Sequence, residues 1–215
     1  MTAPSIHPAR TRRTQEERRA TSEGALIKAA MTVMRAKGIG GMTIAEVAET
    51  AGVSKGLVVH LYGNKQALQL AVLSELRSQF ARRFHQAEGH TVGLERLRGF
   101  IRTQLGSLGK SDSNTQVFSA LLSEAIFQDR EFAADVARMN DATIAFVREC
   151  LEAERAQGTR FIDDDLDSLA TFIVASLRGI AQVFSINATA KTKTLDTQKL
   201  MRLCEAMVDG IVVPA

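Results

Sequence analysis

Three short polar residues and two glycines divide residues 43–65 more tightly than any other part of the chain. Thr43, Ser54 and Asn64 each stand just before an apolar-periodic run, and Gly52 and Gly63 end the first two of those runs. A short side-chain oxygen at such a position accepts from the free N–H groups of the first helical turn, so each of the three reads as an N-cap. Glu46 follows Thr43 by three residues and completes a capping box. Ile44, Val47, Ala48 and Ala51 recur at i, i+3, i+4 and i+7, one narrow apolar stripe. Gly52 tolerates the positive φ that stops a helix after little more than two turns. Two short helices joined by so sharp a turn have the geometry of a helix-turn-helix, whose second helix enters the major groove of duplex DNA.

The remainder of the chain is also helical in pattern. Leu26, Ala30, Val33 and Met34 lie at helical spacing ahead of Lys37 and Gly38, a cation and a glycine that mark a helix end. Asn64 opens a long helix with Leu68, Val72, Leu76, Phe80 and Phe84 four apart. Further helices are predicted near 94–108, 115–128, 130–157, 164–187 and 196–212. No stretch alternates as a half-buried strand does. The expected fold is therefore all-α, with about nine helices. A flexible basic arm (1–13) precedes a three-helix head (14–65), and a larger helical body (66–215) follows.

Charge separates these parts. Residues 1–65 carry ten Lys or Arg against five Asp or Glu, although the 215-residue chain is only +3 overall. A basic head on a near-neutral body suggests a polyanionic partner for the head alone. Arg10, Arg12 and Arg13 of the arm are placed to follow a phosphate backbone or enter a minor groove. The chemistry of enzymes is missing from the pattern. The four histidines, His7, His60, His85 and His90, fall in no metal-ligand spacing, and neither a G-x-S-x-G turn nor a phosphate-binding glycine loop occurs. No metal or cofactor is expected. Cys150 and Cys204, the two cysteines, sit in apolar-periodic stretches and read as buried free thiols. No run of about 18 apolar residues and no signal-like N-terminus is seen, so a cytoplasmic protein without a membrane partner is expected. A helical protein-binding adaptor is the competing reading of such a bundle.

The run TIAEVAETAGVSKGLVVHLYGNKQAL (43–68) resembles the DNA-binding head of the TetR family of regulators. The preceding TRRTQEERRATSEGALIKAAMTVMRAKGIGGMT (11–43) matches that family's first helix and loop in length. SLRGIAQVFSINA (176–188) and the last helix are similar to the dimerisation helices of regulators of the choline–betaine type. The resemblance implies a ligand-responsive repressor that binds a near-palindromic operator as a homodimer. It implies phosphate contacts from Thr43 and Lys65, and base-edge contacts from Ser54, Lys55, Gly56 and Leu57, with His60 on the same helix. One departure stands out. Where many members carry a tyrosine this chain has Val59, and where an aromatic or histidine is frequent it has Leu61. Neither side chain can donate a hydrogen bond, which shifts the expected phosphate contacts onto the arm, Lys55 and Lys65.

The resemblance further implies dimerisation through the helices near 164–187 and 196–212, whose apolar positions include Leu166, Leu169, Ile173, Leu177, Ile180, Phe184, Leu200, Leu203, Met207 and Ile211. It also implies a small-molecule effector held among the middle helices. Phe118, Leu122, Phe127, Phe146 and Phe172 are the candidate apolar lining, with Gln116, Asn140 and Arg178 as polar contacts.

Overall fold

The computed structural model describes residues 15–88, 91–108, 114–192 and 195–214; for 15–21 and 88 only the backbone is described. The arm expected at 1–13 lies outside the described residues. Among these there are nine helices: α1 (Gln15–Gly41), α2 (Ile44–Ala51), α3 (Lys55–Tyr62), α4 (Lys65–Glu88), α5 (Gly93–Leu105), α6 (Thr115–Glu124), α7 (Arg130–Arg155), α8 (Leu166–Thr189) and α9 (Thr197–Gly210). The only β feature among the described residues is an isolated antiparallel bridge between Phe161 and Val212. The all-α expectation holds. Helix α6 ends four residues before the expected 128, because residues 125–127 tighten into turns in which Ile126 and Phe127 donate to the carbonyls of Ser123 and Glu124.

The head is assembled from local signals. Gly38 adopts φ 75°, ψ 171°, a conformation open essentially to glycine, and kinks α1 rather than ending it; one further turn runs to Gly41. Residues 39–41 are thus helical where a loop was expected. The capping box forms as predicted: the Thr43 hydroxyl accepts from Glu46 N (3.3 Å), and Thr43 N donates to the Glu46 carboxylate (3.2 Å). Gly52 takes the left-handed conformation (φ 67°, ψ 33°). Ser54 then caps α3 through Leu57 N (3.2 Å), and Asn64 caps α4 through Ala67 N (2.8 Å).

Two apolar cores lie along α4. One joins α1, α2 and α3 to the N-terminal half of α4 (Leu68, Val72, Leu73, Leu76) and continues into α6 and the start of α7 through Val117, Leu121, Phe132 and Val136. The other joins the far end of α4 (Phe84) to α5, α7, α8 and α9, with Leu97, Ile101, Val147, Leu151, Ile173 and Leu177 at its centre. The head is therefore packed onto α6 and α7 as well as being continuous with the body along α4.

Helix α8 is, by length and composition, apolar enough to cross a membrane, which the sequence reading did not anticipate. Its position accounts for part of that character, 39% of the apolar window being buried. Leu166, Leu169, Ala170, Ile173, Val174, Leu177 and Ala181 form a buried face, and a core helix passes the same test as a membrane span.

Candidate nucleic-acid interface and ligand cavity

Helix α3 presents two unlike faces. Val58 is wholly buried against the head core, and Leu61 and Tyr62 pack on the same side. Lys55, Gly56, Val59 and His60 are exposed on the other, and Leu57 is half-buried at the edge. Lys55 and His60 make no hydrogen bond or ion pair among the described residues. A cation free of partners at a helix N-terminus is placed to meet an anionic surface. Gly56 needs no explanation inside the fold. A methyl group there would meet only Ser54 Oγ, at 3.9 Å, and the backbone does not require positive φ.

The flanking candidates are more occupied. The Thr43 hydroxyl is exposed but engaged in the capping box, where it also donates to Glu46 (2.9 Å). Lys65 Nζ donates to the Gly40 carbonyl (2.7 Å), which bridges the kinked end of α1 to the start of α4. That acceptor is neutral, so the charge of Lys65 remains uncompensated. Glu46 is paired with Lys37; this pairing first, and the Thr43 hydrogen bond second, hold its carboxyl below the usual 4.5. Of the residues expected to face DNA, Thr43, Ser54, Lys55, Gly56 and His60 are exposed and Leu57 and Lys65 half-buried, and Glu46, bonded to Thr43 in the capping box, is paired with Lys37.

A cavity of about 460 Å³ opens among α4, α5, α6, α7 and α8. Phe80, Phe84, Phe100 and Phe146 form its aromatic wall: Phe80 meets Phe100 edge-on at 5.3 Å, and Phe84 meets Phe146 edge-on at 5.6 Å. Arg96 lies over the Phe146 ring, 4.9 Å from its centre. Arg77, Arg83 and Arg178 add three more guanidinium groups to the lining, and Gln79, Gln104 and Asn114 add amides. Arg178 donates to Asn140 Oδ1. Burial, and then the nearby charge of Arg77, push its pKa down.

Of the lining proposed from sequence, Phe118, Phe146 and Arg178 border this cavity. Leu122 packs instead against the head core. Phe127 and Phe172 are exposed, at 83% and 54%. Gln116 donates to Thr189 (2.8 Å), and Asn140 reaches the cavity only by holding Arg178. Sequence reasoning missed Arg77, Phe80, Arg83, Phe84, Arg96 and Phe100. The signal was present on α4, where arginine and phenylalanine recur at i and i+3 in Arg77–Phe80 and at i and i+4 in Phe80–Phe84. Arginines on a long helix read as solvent positions until the facing helices are in place.

A polar strap joins head and cavity. Arg35 on α1 donates to Asn114 Oδ1, and Asn114 Nδ2 donates to Gln79 Oε1 (3.1 Å). Asn114 and Gln79 both line the cavity. A second tie runs from Gln66 at the start of α4 to Asp129 (2.6 Å), the N-cap of α7.

Both cysteines are buried and free. Burial pushes the Cys150 thiol up to about 11 and raises Cys204 as well. Neither is an activated nucleophile.

Residues 26–72 match the family described as "Bacterial regulatory proteins, tetR family". The HTH-type transcriptional regulator CymR of Pseudomonas putida is 44% identical over 72 residues, which span 34% of this chain and 36% of that protein, so the chain covers about a third of that relative's length. Among solved structures, a TetR-family regulator from a Rhodococcus species superposes with a TM-score of 0.74 over 90% of this chain and 100% of its own, at 20% identity. A transcriptional regulator from Pseudomonas aeruginosa PAO1 superposes with 0.72 over 94% of each chain, at 21% identity. The fatty acid degradation regulator FadR of Bacillus halodurans gives 0.73 over 87% of this chain and 97% of its own, at 16% identity. At such identities these structures speak for the fold. Residues 93–213, more than half of the chain, match the "BetI-type transcriptional repressor, C-terminal" family, and together with the head this makes the chain a member of the TetR family of transcriptional regulators.

Proposed function

We propose that the protein is a cytoplasmic repressor that binds a near-palindromic operator as a homodimer and leaves it when a small molecule fills the α4–α8 cavity. The observation that carries the reading is the outer face of α3: Lys55, Gly56 and His60 are exposed on a helix capped by Ser54, and Lys55 and His60 have no side-chain partner among the described residues. The domain limits follow the same logic, with residues 14–65 reading DNA and 66–215 holding effector and partner. Thr43 and Lys65 contact phosphates, and Ser54, Lys55, Gly56, Leu57 and His60 lie toward the groove.

One recognition helix spans only a few base pairs, so a specific site needs two heads related by symmetry. The outward apolar residues of α8 and α9 support a dimer. Phe172, Val183, Ile186 and Leu203 are all more than half exposed, and a second copy against this face would remove them from water. Phe172 is thus better placed for the partner subunit than for the cavity. Release follows from α4. Its N-terminal half is fixed in the head core and its C-terminal half lines the cavity. A ligand that moves one end changes the spacing of the two heads, provided that it favours one arrangement over the other.

The test is selection of binding sites from random duplexes with wild type and Lys55→Ala at two salt concentrations. An enriched palindrome whose half-sites change in the variant is the expected result, with affinity falling steeply as salt rises. Sequence-indifferent binding, unaltered in Lys55→Ala, would sink the reading of α3 and bring the protein-binding adaptor forward.

A further inference from the structure

We infer that the ligand of the α4–α8 cavity is an organic anion, a monocarboxylate with a compact apolar body, held by Arg77 and Arg178 with its body among the phenylalanines. The inference rests on the reading of this cavity as the effector site and adds the charge of what fills it.

Four arginines border the cavity, and no aspartate or glutamate does so among the described residues. None of the four forms an ion pair among the described residues, although Arg82, Arg98, Arg102, Arg138 and Arg148 elsewhere in the body all do. Arg178 is the informative one. It is partly buried, its one side-chain partner is the neutral Asn140, and Arg77 is close enough to disfavour its charge. Two cations lining one cavity beside an apolar wall, with no carboxylate in that lining among the described residues, repel each other. An anion between them relieves the repulsion. A guanidinium stays charged under all ordinary conditions, and its planar fork fits the two oxygens of a carboxylate.

The rest of the wall sets the body of the ligand. Phe80, Phe84, Phe100 and Phe146 offer ring faces and edges, and a volume of about 460 Å³ admits a small molecule with room for little else. The same charges exclude a quaternary ammonium, which would meet four arginines and no counter-ion.

The test uses the full chain without DNA, by titration calorimetry. The probes are octanoate and 2-naphthoate, their neutral amides, and a naphthyl trimethylammonium salt. Binding of at least one carboxylate about tenfold or more tighter than its amide, with the cation silent, is expected. Arg178→Met should abolish that preference without lowering the melting temperature, since it removes a like-charge contact; Arg178→Lys should keep part of it. The inference is overturned if amides bind as well as acids, if the cation is preferred, if no carboxylate binds at millimolar concentration, or if the preference survives in both Arg178→Met and Arg77→Met. Operator release is then measured separately. Carboxylate binding that leaves the operator complex intact defeats the release mechanism and not the assignment of charge. Release by a neutral or cationic compound alone does the reverse.

Discussion

The two halves of α4 have different surroundings. From Lys65 to Leu76 the helix is capped by Asn64 and locked into the head core by Leu68, Val72, Leu73 and Leu76, each at most 5% exposed. From Arg77 onward its inward side faces a cavity, and Arg77, Gln79 and Phe80 are only half-buried. Two of the helices that frame the cavity differ from those of the head. α2, α3 and α4 start on side-chain caps, as α7 and α8 do, whereas α5 and α6 begin at Val92 and Asn114, neither of which makes a side-chain cap bond. Reading DNA demands a surface of fixed shape. A cavity that answers to a ligand needs walls that move at low cost. The molecule places close packing at one end of a single helix and latitude at the other.

Truncation on each side tests this contrast with the largest expected effect. Leu68 is fully buried, so Leu68→Ala should destabilise by about 2–5 kcal/mol in denaturant unfolding and abolish operator binding. Phe146→Leu enlarges a space that already exists, and should cost about 1.5 kcal/mol or less while altering ligand preference. Equal costs at the two positions would contradict the picture of a stiff head and an accommodating body.

One residue runs against the close packing of the head. Gln69 is completely buried on α4, and neither its amide nitrogen nor its oxygen has a hydrogen-bond partner. Gln69→Leu is expected to raise stability by about 1–3 kcal/mol, read as a higher melting temperature, because two desolvated polar atoms are removed at little change in volume. If operator affinity or ligand release falls at the same time, Gln69 finds its partners in another arrangement of head and body. Unchanged or lower stability would mean that its amide is satisfied in solution.

The outer face of α3 allows folding and recognition to be separated by one methyl group. Gly56→Ala meets only Ser54 Oγ at van der Waals distance and replaces a poor helix former, so stability should rise by up to about 1 kcal/mol. Operator affinity should fall by about tenfold, because the added methyl stands where the DNA approaches. A variant as tight as wild type would show that α3 does not approach through its N-terminal turn.

How much of this was legible in sequence follows the same division. The head's signals are local: Thr43 with Glu46, Gly52, Ser54 and Asn64 act within four residues of themselves, and each forms as predicted. Gly38 was recognised as a break, but the extra turn to Gly41 was not; its Gly40 carbonyl accepts from Lys65, 25 residues away in the chain. In the body, helix positions were readable from periodicity, but the assignment of faces was not. Leu122 and Phe172 carry the same kind of side chain as Phe118 and Phe146. What separates them is which neighbour arrives from tens of residues away. On α9 and its C-cap the stripe expected at the dimer interface divides in the same way, with Leu203 exposed and Ile211 buried in the monomer.

The smallest expected effects concern the caps. Thr43→Ala removes the hydroxyl half of the box and leaves the backbone N–H that donates to Glu46, so it should cost about 1 kcal/mol or less. Val92→Asp should contribute nothing, because Glu154 already accepts from Leu94 N at the start of α5 and would repel a second carboxylate there. The Glu46 carboxyl, lowered mainly by Lys37 and then by Thr43, adds a pH signature to the first of these. A carboxyl lowered by folding gives stability that is complete above its unfolded value of 4.5. That stability is lost as pH falls through the lower folded value. Wild type and Lys37→Met should therefore differ most at neutral pH and converge in acid. The Glu46 resonance of the variant should titrate closer to 4.5 than that of wild type. A difference in stability that stayed constant down through the acid range would assign the role of Lys37 to packing of its stem on the end of α1, and would leave Thr43 as the chief partner of Glu46.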